Sequence, residues 1–196
     1  MSKYYAVKKG RQTGIYNSWS ECEAQVKGFN GAQYKSFASY DDALEFIEDR
    51  PRVSMSSNGL IAYVDGSYNV KTGEYGYGCV LIEGSEVIKK FYGKGDAPEY
   101  ASMRNVAGEI IASMVSTKYA IEHGYDLICI YYDYEGIEKW ATHVWKANKE
   151  KTKMYSAFMD ESKKVIDIRF MKVLAHSGDQ FNEMADKLAK KAVGIK

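Results

Sequence analysis

Acidic side chains recur in this chain at places where metal chemistry could be built from them. Near its end, a polar, Gly-containing loop carrying His176 runs into a helical pattern whose apolar stripe is Ala185, Leu188, Ala189 and Ala192. Asn182 and Asp186 are spaced i,i+4, so both project from one flank of that helix beside the stripe. A carboxylate downstream of a loop His suits metal-assisted chemistry with a proton shuttle. Three more acids lie upstream. Asp65, opening Asp65-Gly66-Ser67, and Asp133, in Tyr131-Tyr132-Asp133-Tyr134, each end an apolar run, while Glu109 falls early in a helical pattern. Taken singly each has an ordinary explanation: Asp after a strand forms turns, and Glu in a first helical turn favours the helix dipole. Taken together they imply more. Ligands of open α/β sheets gather beyond the carboxyl ends of strands, and parallel pairing would bring Asp65 and Asp133 to one edge. Four such charges would repel and raise one another's pKa unless cations neutralised them. Oxygen donors without a Cys pattern or a His pair favour Mg²⁺ or Mn²⁺ over Zn²⁺.

The elements that must position these residues are legible as periodicities. Leu60–Val64, Gly76–Ile82 and Val87–Tyr92 read as strands joined by turns at Thr72-Gly73 and Glu83-Gly84. A helix is expected over Val106–His123, with Ile110, Ile111, Met114, Val115 and Ile121 on its apolar side. Leu127–Tyr132 is wholly apolar, as expected of a central strand covered on both faces. Helical patterns over Ile137–Trp145 and Lys153–Val165, a strand over Ile168–Val173 and a last helix from about Phe181 to Val193 complete the order βββαβααβα. That order predicts an α/β domain with a mixed sheet and helices packed on it. A smaller pattern precedes it: strands at Tyr4–Lys8, Ile15-Tyr16 and Ala32–Phe37, a helix near Glu21–Val26 capped by Ser18 or Ser20, and a helix from Ser39 to Ile47. The expected organisation is therefore a first domain over 1–48, a linker over 49–59 holding Pro51, serines and Gly59, and a second domain over 60–196.

Bulk properties narrow the class. With 196 residues, 45% hydrophobic content and 17 Tyr, the chain can build packed cores, and its net charge of +1 gives no global pull on nucleic acid or membrane. Cys22, Cys79 and Cys129 are widely spaced and read as reduced buried thiols, so a soluble cytoplasmic protein is expected. No apolar run approaches a membrane span, no secretory leader is evident, and no obligate protein partner is called for, so a monomer is expected.

With the acids and their flanks set out, the resemblance is specific. VDGS around Asp65, RNVAGE around Glu109, YYDY around Asp133 and NEMADKLA around Asp186 together resemble the type 1 ribonuclease H family over about residues 60–193. The first domain resembles the hybrid-binding, viroplasmin-like module of the same enzymes, through Tyr5-Ala6-Val7-Lys8-Lys9-Gly10-Arg11, Thr13-Gly14-Ile15-Tyr16, Trp19, Glu21-Cys22 and Tyr34-Lys35-Ser36-Phe37. The resemblance implies a ribonuclease H-like fold, with a mixed five-stranded sheet flanked by helices behind a small α/β hybrid-binding domain. It also implies hydrolysis of the RNA strand of RNA–DNA hybrids with two Mg²⁺ ions (Mn²⁺ as substitute), leaving 5′-phosphate and 3′-hydroxyl ends. Asp65, Glu109, Asp133 and Asp186 would hold the metal, with His176 assisting proton transfer or product release.

Substrate contacts follow from the same resemblance. Gly66, Ser67, Asn105 and Asn182 stand close to the catalytic positions, and reading a 2′-hydroxyl requires such neighbours. Met103-Arg104-Asn105 replaces the Thr-rich phosphate-gripping segment of many relatives, so Arg104 is expected to supply that grip. Glu135 stands where some relatives have Gln, and Tyr68-Asn69-Val70-Lys71 replaces their Asn-Pro-Gly turn. Lys139, Lys146, Lys149, Lys151 and Lys153, interleaved with Trp140 and Trp145, suit docking on a phosphate backbone and resemble the basic protrusion of some members. The two tryptophans serve equally well as core residues on this reading. In the first domain, Lys3, Lys8, Lys9, Arg11, Lys27 and Lys35 outnumber Glu21 and Glu23. There the resemblance assigns Trp19 and Tyr34, with Tyr5 and Lys35 nearby, to the DNA surface of a hybrid.

Overall fold

A computed structural model describes residues 3–38, 42–43, 46–47, 58–95, 98–173 and 179–195. His176, Ser39 and most of the 49–59 stretch lie outside the described residues. The chain divides into two compact units, Met1–Ser54 and Met55–Lys196.

The first unit pairs β1 (Tyr4–Lys9) antiparallel with both β2 (Gly14–Tyr16) and β3 (Gln33–Phe37), in the order β2-β1-β3. Helix α1 (Trp19–Val26) packs its Cys22 and Val26 against Val7. Of the two candidate serines, Ser18 forms the cap. Its Oγ accepts from Glu21 N–H at 3.3 Å, while the Glu21 carboxylate accepts from Ser18 N–H at 3.1 Å. The far end of α1 is closed by the Arg11 guanidinium, which donates to the carbonyls of Ala24 and Lys27.

The second unit is a five-stranded sheet in the order β6-β5-β4-β7-β8, comprising β4 (Gly59–Asn69), β5 (Glu74–Glu83), β6 (Glu86–Lys94), β7 (Leu127–Tyr132) and β8 (Asp167–Lys172). Strands β4, β7 and β8 run parallel to one another, and β5 and β6 run antiparallel to their neighbours. Helix α2 (Asn105–Glu122), after a 3₁₀ turn at Pro98–Met103, covers one face with α3 (Gly136–Ala141) and α4 (Glu150–Ser162); α5 (Gln180–Ala192) covers the other. Alternation along β4 sorts its residues between these layers. Leu60, Ala62 and Val64 enter the core with Ile110, Tyr155 and Met159, whereas Tyr63 meets Phe181 of α5. All six residues of β7 are buried, as a strand covered on both faces requires.

Two expectations are corrected. Asp65 does not end its strand: β4 continues to Asn69 because β5 goes on pairing with it as far as Asn69–Glu74. The helix expected over Ile137–Trp145 stops at Ala141. There the chain turns through His143 (φ 60°), and Trp145 N–H bonds back to the Lys139 carbonyl at 2.9 Å. Trp145 and Lys146 therefore sit in a loop. The next helix begins at Glu150, earlier than its apolar spacing suggested.

Candidate active site

Three of the four predicted acids meet. Carboxylate oxygens of Asp65, Glu109 and Asp133, one from each, all lie within 4.8 Å of one another. The register explains the first pair. Tyr63 of β4 stands opposite Tyr131 of β7 in the last parallel step, so Asp65 and Asp133, each two residues further on, run side by side just past the end of that pairing. Glu109 arrives because α2 comes unusually close to β4. A Cβ on Gly66 would stand 1.9 Å from the Asn105 carbonyl oxygen and 2.6 Å from the Glu109 nitrogen, so only glycine permits that approach.

Asp186 reaches the site by the same device on the other face. Asp65 pairs with Gly78 across the β4–β5 ladder, and a Cβ on Gly78 would lie 2.2 Å from the Ala185 carbonyl oxygen of α5. Asp186 is close enough to raise the Asp65 pKa but does not belong to the three-residue group. Its carboxylate accepts from Lys190 Nζ at 2.7 Å, an i,i+4 ion pair. That lysine was not among the predicted residues, although its spacing from Asp186 was readable.

The electrostatics of the cluster are those of a site that wants a cation. Burial, then Asp133, then Asp186 raise the Asp65 carboxyl from its ordinary 3.8 to about 7, opposed by the Gly66 N–H and by Lys190. The Gly66 N–H donates to Asp65 Oδ1 at 2.7 Å. Burial, followed by Asp133 and Asp65, pushes Glu109 well above the usual carboxylate range, with the Tyr134 N–H acting the other way. Glu109 is 1% exposed, and its Oε2 has no hydrogen-bond partner. An orphaned carboxylate oxygen facing two further carboxylates fits a hard divalent cation, which would relieve both the desolvation and the repulsion.

The remaining predicted residues are distributed around this cluster. Gly66 and Ser67 continue β4, Ser67 buried. Asn105 opens α2 and is exposed. Arg104, at φ 53° just before it, holds its guanidinium 5.8 Å from the Tyr68 ring centre. Asn182 is in the first turn of α5, with its Oδ1 buried and unpartnered. Trp140 is half-buried against the core and 6.0 Å from the ring of Trp145, which is 38% exposed and has Lys139 Nζ at 4.9 Å. The sequence left both tryptophans between core and surface; Trp140 leans to the first and Trp145 to the second. Lys146 and Lys149 line a cleft of about 390 Å³ together with Met103, Val106, Tyr134 and Trp140. Glu135, next in sequence to Tyr134, is bound by Lys139 and by Lys172 at 2.5 Å, and these two lysines hold its carboxyl down to about 2.

In the first unit, Trp19 stands 5.8 Å from both Tyr5 and Tyr34, ring centre to ring centre, with Trp19 44% and Tyr34 46% exposed. Lys35 is exposed beside them, its Nζ 5.3 Å from the Phe37 ring. A small domain that leaves Trp19 and Tyr34 exposed beside a partly buried Tyr5 presents a stacking surface.

Known proteins share both units. The family described as Ribonuclease H1 N-terminal domain matches residues 3–47, and the family described as RNase H matches residues 57–194. Ribonuclease H1 of Rattus norvegicus is 26% identical over 97% of this chain and 89% of its own length. Ribonuclease H of Saccharomyces cerevisiae is 59% identical over 44 residues, and that of Schizosaccharomyces pombe 47% over 75 residues. These two matches take in 22% and 38% of this chain but only 13% and 25% of the yeast proteins. Among solved structures, RNase H1 from the halophilic archaeon Halobacterium salinarum superimposes with a TM-score of 0.59 at 24% identity, over 69% of this chain and 98% of that one. LC11-RNase H1 in complex with an RNA/DNA hybrid does so with 0.54 at 19%, over 68% and 99%. At those identities the likeness speaks for the fold.

Proposed function

The chain belongs to the ribonuclease H family, and from that premise we propose that it hydrolyses the RNA strand of RNA–DNA hybrids, leaving 5′-phosphate and 3′-hydroxyl ends. The observation that carries this reading is the convergence of Asp65, Glu109 and Asp133 within 4.8 Å, with a buried, unpartnered oxygen on Glu109. Those three residues and Asp186 would hold two divalent cations, Mg²⁺ by the hardness of the oxygen donors, with Mn²⁺ as a substitute. Bound there, the ions supply an activated water and charge stabilisation for in-line displacement at phosphorus. Asp65, whose carboxyl feels both Asp133 and Asp186, would be a ligand at the centre of this set. Lys190 pairs with the Asp186 carboxylate at 2.7 Å, and Asp186 would exchange that partner for a cation on metal binding. His176 is assigned by sequence to proton handling near the leaving group.

Selectivity falls to groups around the cluster. The Gly66 backbone, Ser67, Asn105 and Asn182 are suited to a ribose 2′-hydroxyl, the one group that separates RNA from DNA at such a site. Arg104, Lys146 and Lys149, with Trp140 and Trp145, would hold the DNA strand along the cleft. The first unit would add affinity through Tyr5, Trp19, Tyr34 and Lys35, as a tethered second contact that raises effective concentration without entering the chemistry. The solved LC11-RNase H1 complex carries an RNA/DNA hybrid, in keeping with this substrate class. We read the protein as acting alone, as a monomer in a reducing compartment; its three cysteines are buried thiols outside any disulfide. Among the described residues no helix is long and apolar enough to cross a membrane.

The test is strand-specific. End-labelled RNA–DNA hybrid, double-stranded RNA and duplex DNA of one sequence are incubated with the protein, with Mg²⁺ or with chelator. Cleavage confined to the RNA strand of the hybrid, dependent on metal and abolished by Asp65→Asn, is the expected result. Metal-independent cleavage, or undiminished turnover in Asp65→Asn, removes the assignment.

A further inference from the structure

Asp179 lies outside the acidic cluster, yet it is buried almost completely, at 2% exposure. It immediately precedes α5, and its Oδ1 accepts from Phe181 N–H at 2.9 Å and from Asn182 N–H at 3.1 Å. Its Oδ2 is enclosed without a partner at hydrogen-bond geometry, and the Tyr63 hydroxyl is the side-chain donor that acts on the carboxylate. Burial drives the carboxyl up; the Asn182 and Phe181 N–H groups and Tyr63 oppose it. Capping alone does not call for this arrangement, because a serine caps a helix about as well as aspartate and buries no charge.

The surroundings supply a reason. Tyr63 stacks on Tyr131 at 4.5 Å between ring centres and meets Phe181 at 5.5 Å. Tyr63 precedes Asp65 by two residues in β4, Tyr131 precedes Asp133 by two on β7, and the two tyrosines are opposite each other in the parallel register. Phe181 and Asp179 belong to the start of α5, the helix that carries Asn182 and Asp186. One buried knot thus joins three of the four elements that deliver acids to the site. A helix moves as a rod, so any displacement at its first turn is passed on to Asp186 a little over one turn later.

We propose that Asp179 is a positioning residue, which fixes the first turn of α5 through the Phe181 and Asn182 N–H groups, seats Phe181 against Tyr63 and thereby sets Asp186 and Asn182 against Asp65 and Asp133. This rests on the metal-dependent reading given above. Outer partners that orient metal ligands are typically worth about tenfold or more in metal affinity, and that is the effect expected here.

The experiment measures Mn²⁺ binding to the full chain without substrate, by paramagnetic resonance of the free ion, alongside the Mg²⁺ concentration for half-maximal cleavage and the melting temperature. Asp179→Ser keeps a cap but gives up the buried carboxylate that holds both the Phe181 and Asn182 N–H groups. It should melt near the wild type yet bind Mn²⁺ about tenfold more weakly, with the Mg²⁺ requirement rising in parallel. Asp179→Asn retains an acceptor of full length and should recover most of the affinity. Tyr63→Phe removes the hydroxyl that acts on the buried carboxylate and should shift binding in the same direction as Asp179→Ser. Wild-type Mn²⁺ affinity in Asp179→Ser would make Asp179 a helix cap and nothing more. If the Asp179 variants do not fold, wild-type affinity in Tyr63→Phe delivers the same refutation. Asp65→Asn separates the two levels of the argument. Its loss of Mn²⁺ binding beside an unaffected Asp179→Ser sinks only the positioning role, whereas unchanged binding in Asp65→Asn sinks the metal site itself and this inference with it.

Discussion

Stripped of metal, the protein should lose stability as pH rises from 5 to 8, and Asp65→Asn should remove the part of that loss that Asp65 contributes. Burial and two neighbouring aspartates raise the Asp65 carboxyl from 3.8 to about 7. An unfolded chain releases this proton near pH 4; the folded protein holds it until near pH 7. Between those values the folded state binds more protons, so the unfolding free energy falls with rising pH, and below pH 4 there is no penalty at all. Roughly three decades in proton affinity, at about 1.4 kcal/mol each, make the whole effect about 4 kcal/mol, of which about 3 kcal/mol falls between pH 5 and 8. The figure belongs to the cluster more than to one residue, since Asp133 and Glu109 share the repulsion and Glu109 is raised by the same neighbours. Asparagine has nearly the shape of aspartate and does not titrate. Exposed groups such as Glu135, whose shift is of opposite sign, are present in both proteins and cancel in the difference.

Urea unfolding in chelator at pH 5 and pH 8, followed by circular dichroism for wild type and Asp65→Asn, reads this directly. The wild type should lose at least about 2 kcal/mol more than the variant over that interval, allowing for the sharing of charge within the cluster. At pH 8 the variant should be the more stable protein without metal. Added Mg²⁺ should reverse that order, because a ligand bound only by the folded state stabilises it in proportion to its affinity. Parallel pH dependences for the two proteins would refute the reasoning, since Asp65 would then be neither desolvated nor crowded by like charge.

Three further outcomes follow from particular side chains. Gly78→Ala would place a methyl 2.2 Å from the Ala185 carbonyl oxygen, so α5 must shift; a loss of about 1–3 kcal/mol in denaturant unfolding, with weaker Mn²⁺ binding, is expected. Replacing both Lys146 and Lys149 by Glu should flatten the plot of log affinity against log salt by about 0.9 for each phosphate no longer neutralised, measured by hybrid-binding titrations. Trp19→Ala, which removes the centre of the Tyr5, Trp19 and Tyr34 group, should weaken hybrid binding roughly tenfold and slow cleavage of long hybrids more than short ones in single-turnover assays.

What the sequence made legible, and what it did not, divides along the range of the interactions involved. The side-by-side placement of Asp65 and Asp133 could be read because two apolar runs announce strands and each acid lies just beyond one of them. The end of α3 could not. Ile137, Trp140, Ala141, Val144 and Trp145 keep a helical rhythm, but the Lys139 carbonyl captures Trp145 N–H and folds that ring back toward Trp140. Helix α2 hid part of its buried face for a local reason. Ser113, Ser116 and Thr117 are buried, and their hydroxyls bond to carbonyls of the preceding turn, so that they pack as small apolar residues do. The role of Asp179 is of neither kind, because it depends on a tyrosine more than a hundred positions away that lies under the same helix.

That last case bears on how such a site can exist at all. Three carboxylates with oxygens within 4.8 Å of one another, and a fourth close enough to act on Asp65, repel before any cation arrives, so the attraction that assembles them has to come from elsewhere in the fold. It comes from uncharged contacts close behind the acids. Gly66 lets α2 rest on β4, Gly78 lets α5 rest on β5, and the stacked rings of Tyr63 and Tyr131, with Phe181 tilted against Tyr63, bind both sheet strands to the start of α5. Each is rigid over the short distance that matters. Substitutions at these positions should therefore alter metal affinity without touching a ligand, whereas neutralising one of the acids should relax the metal-free protein.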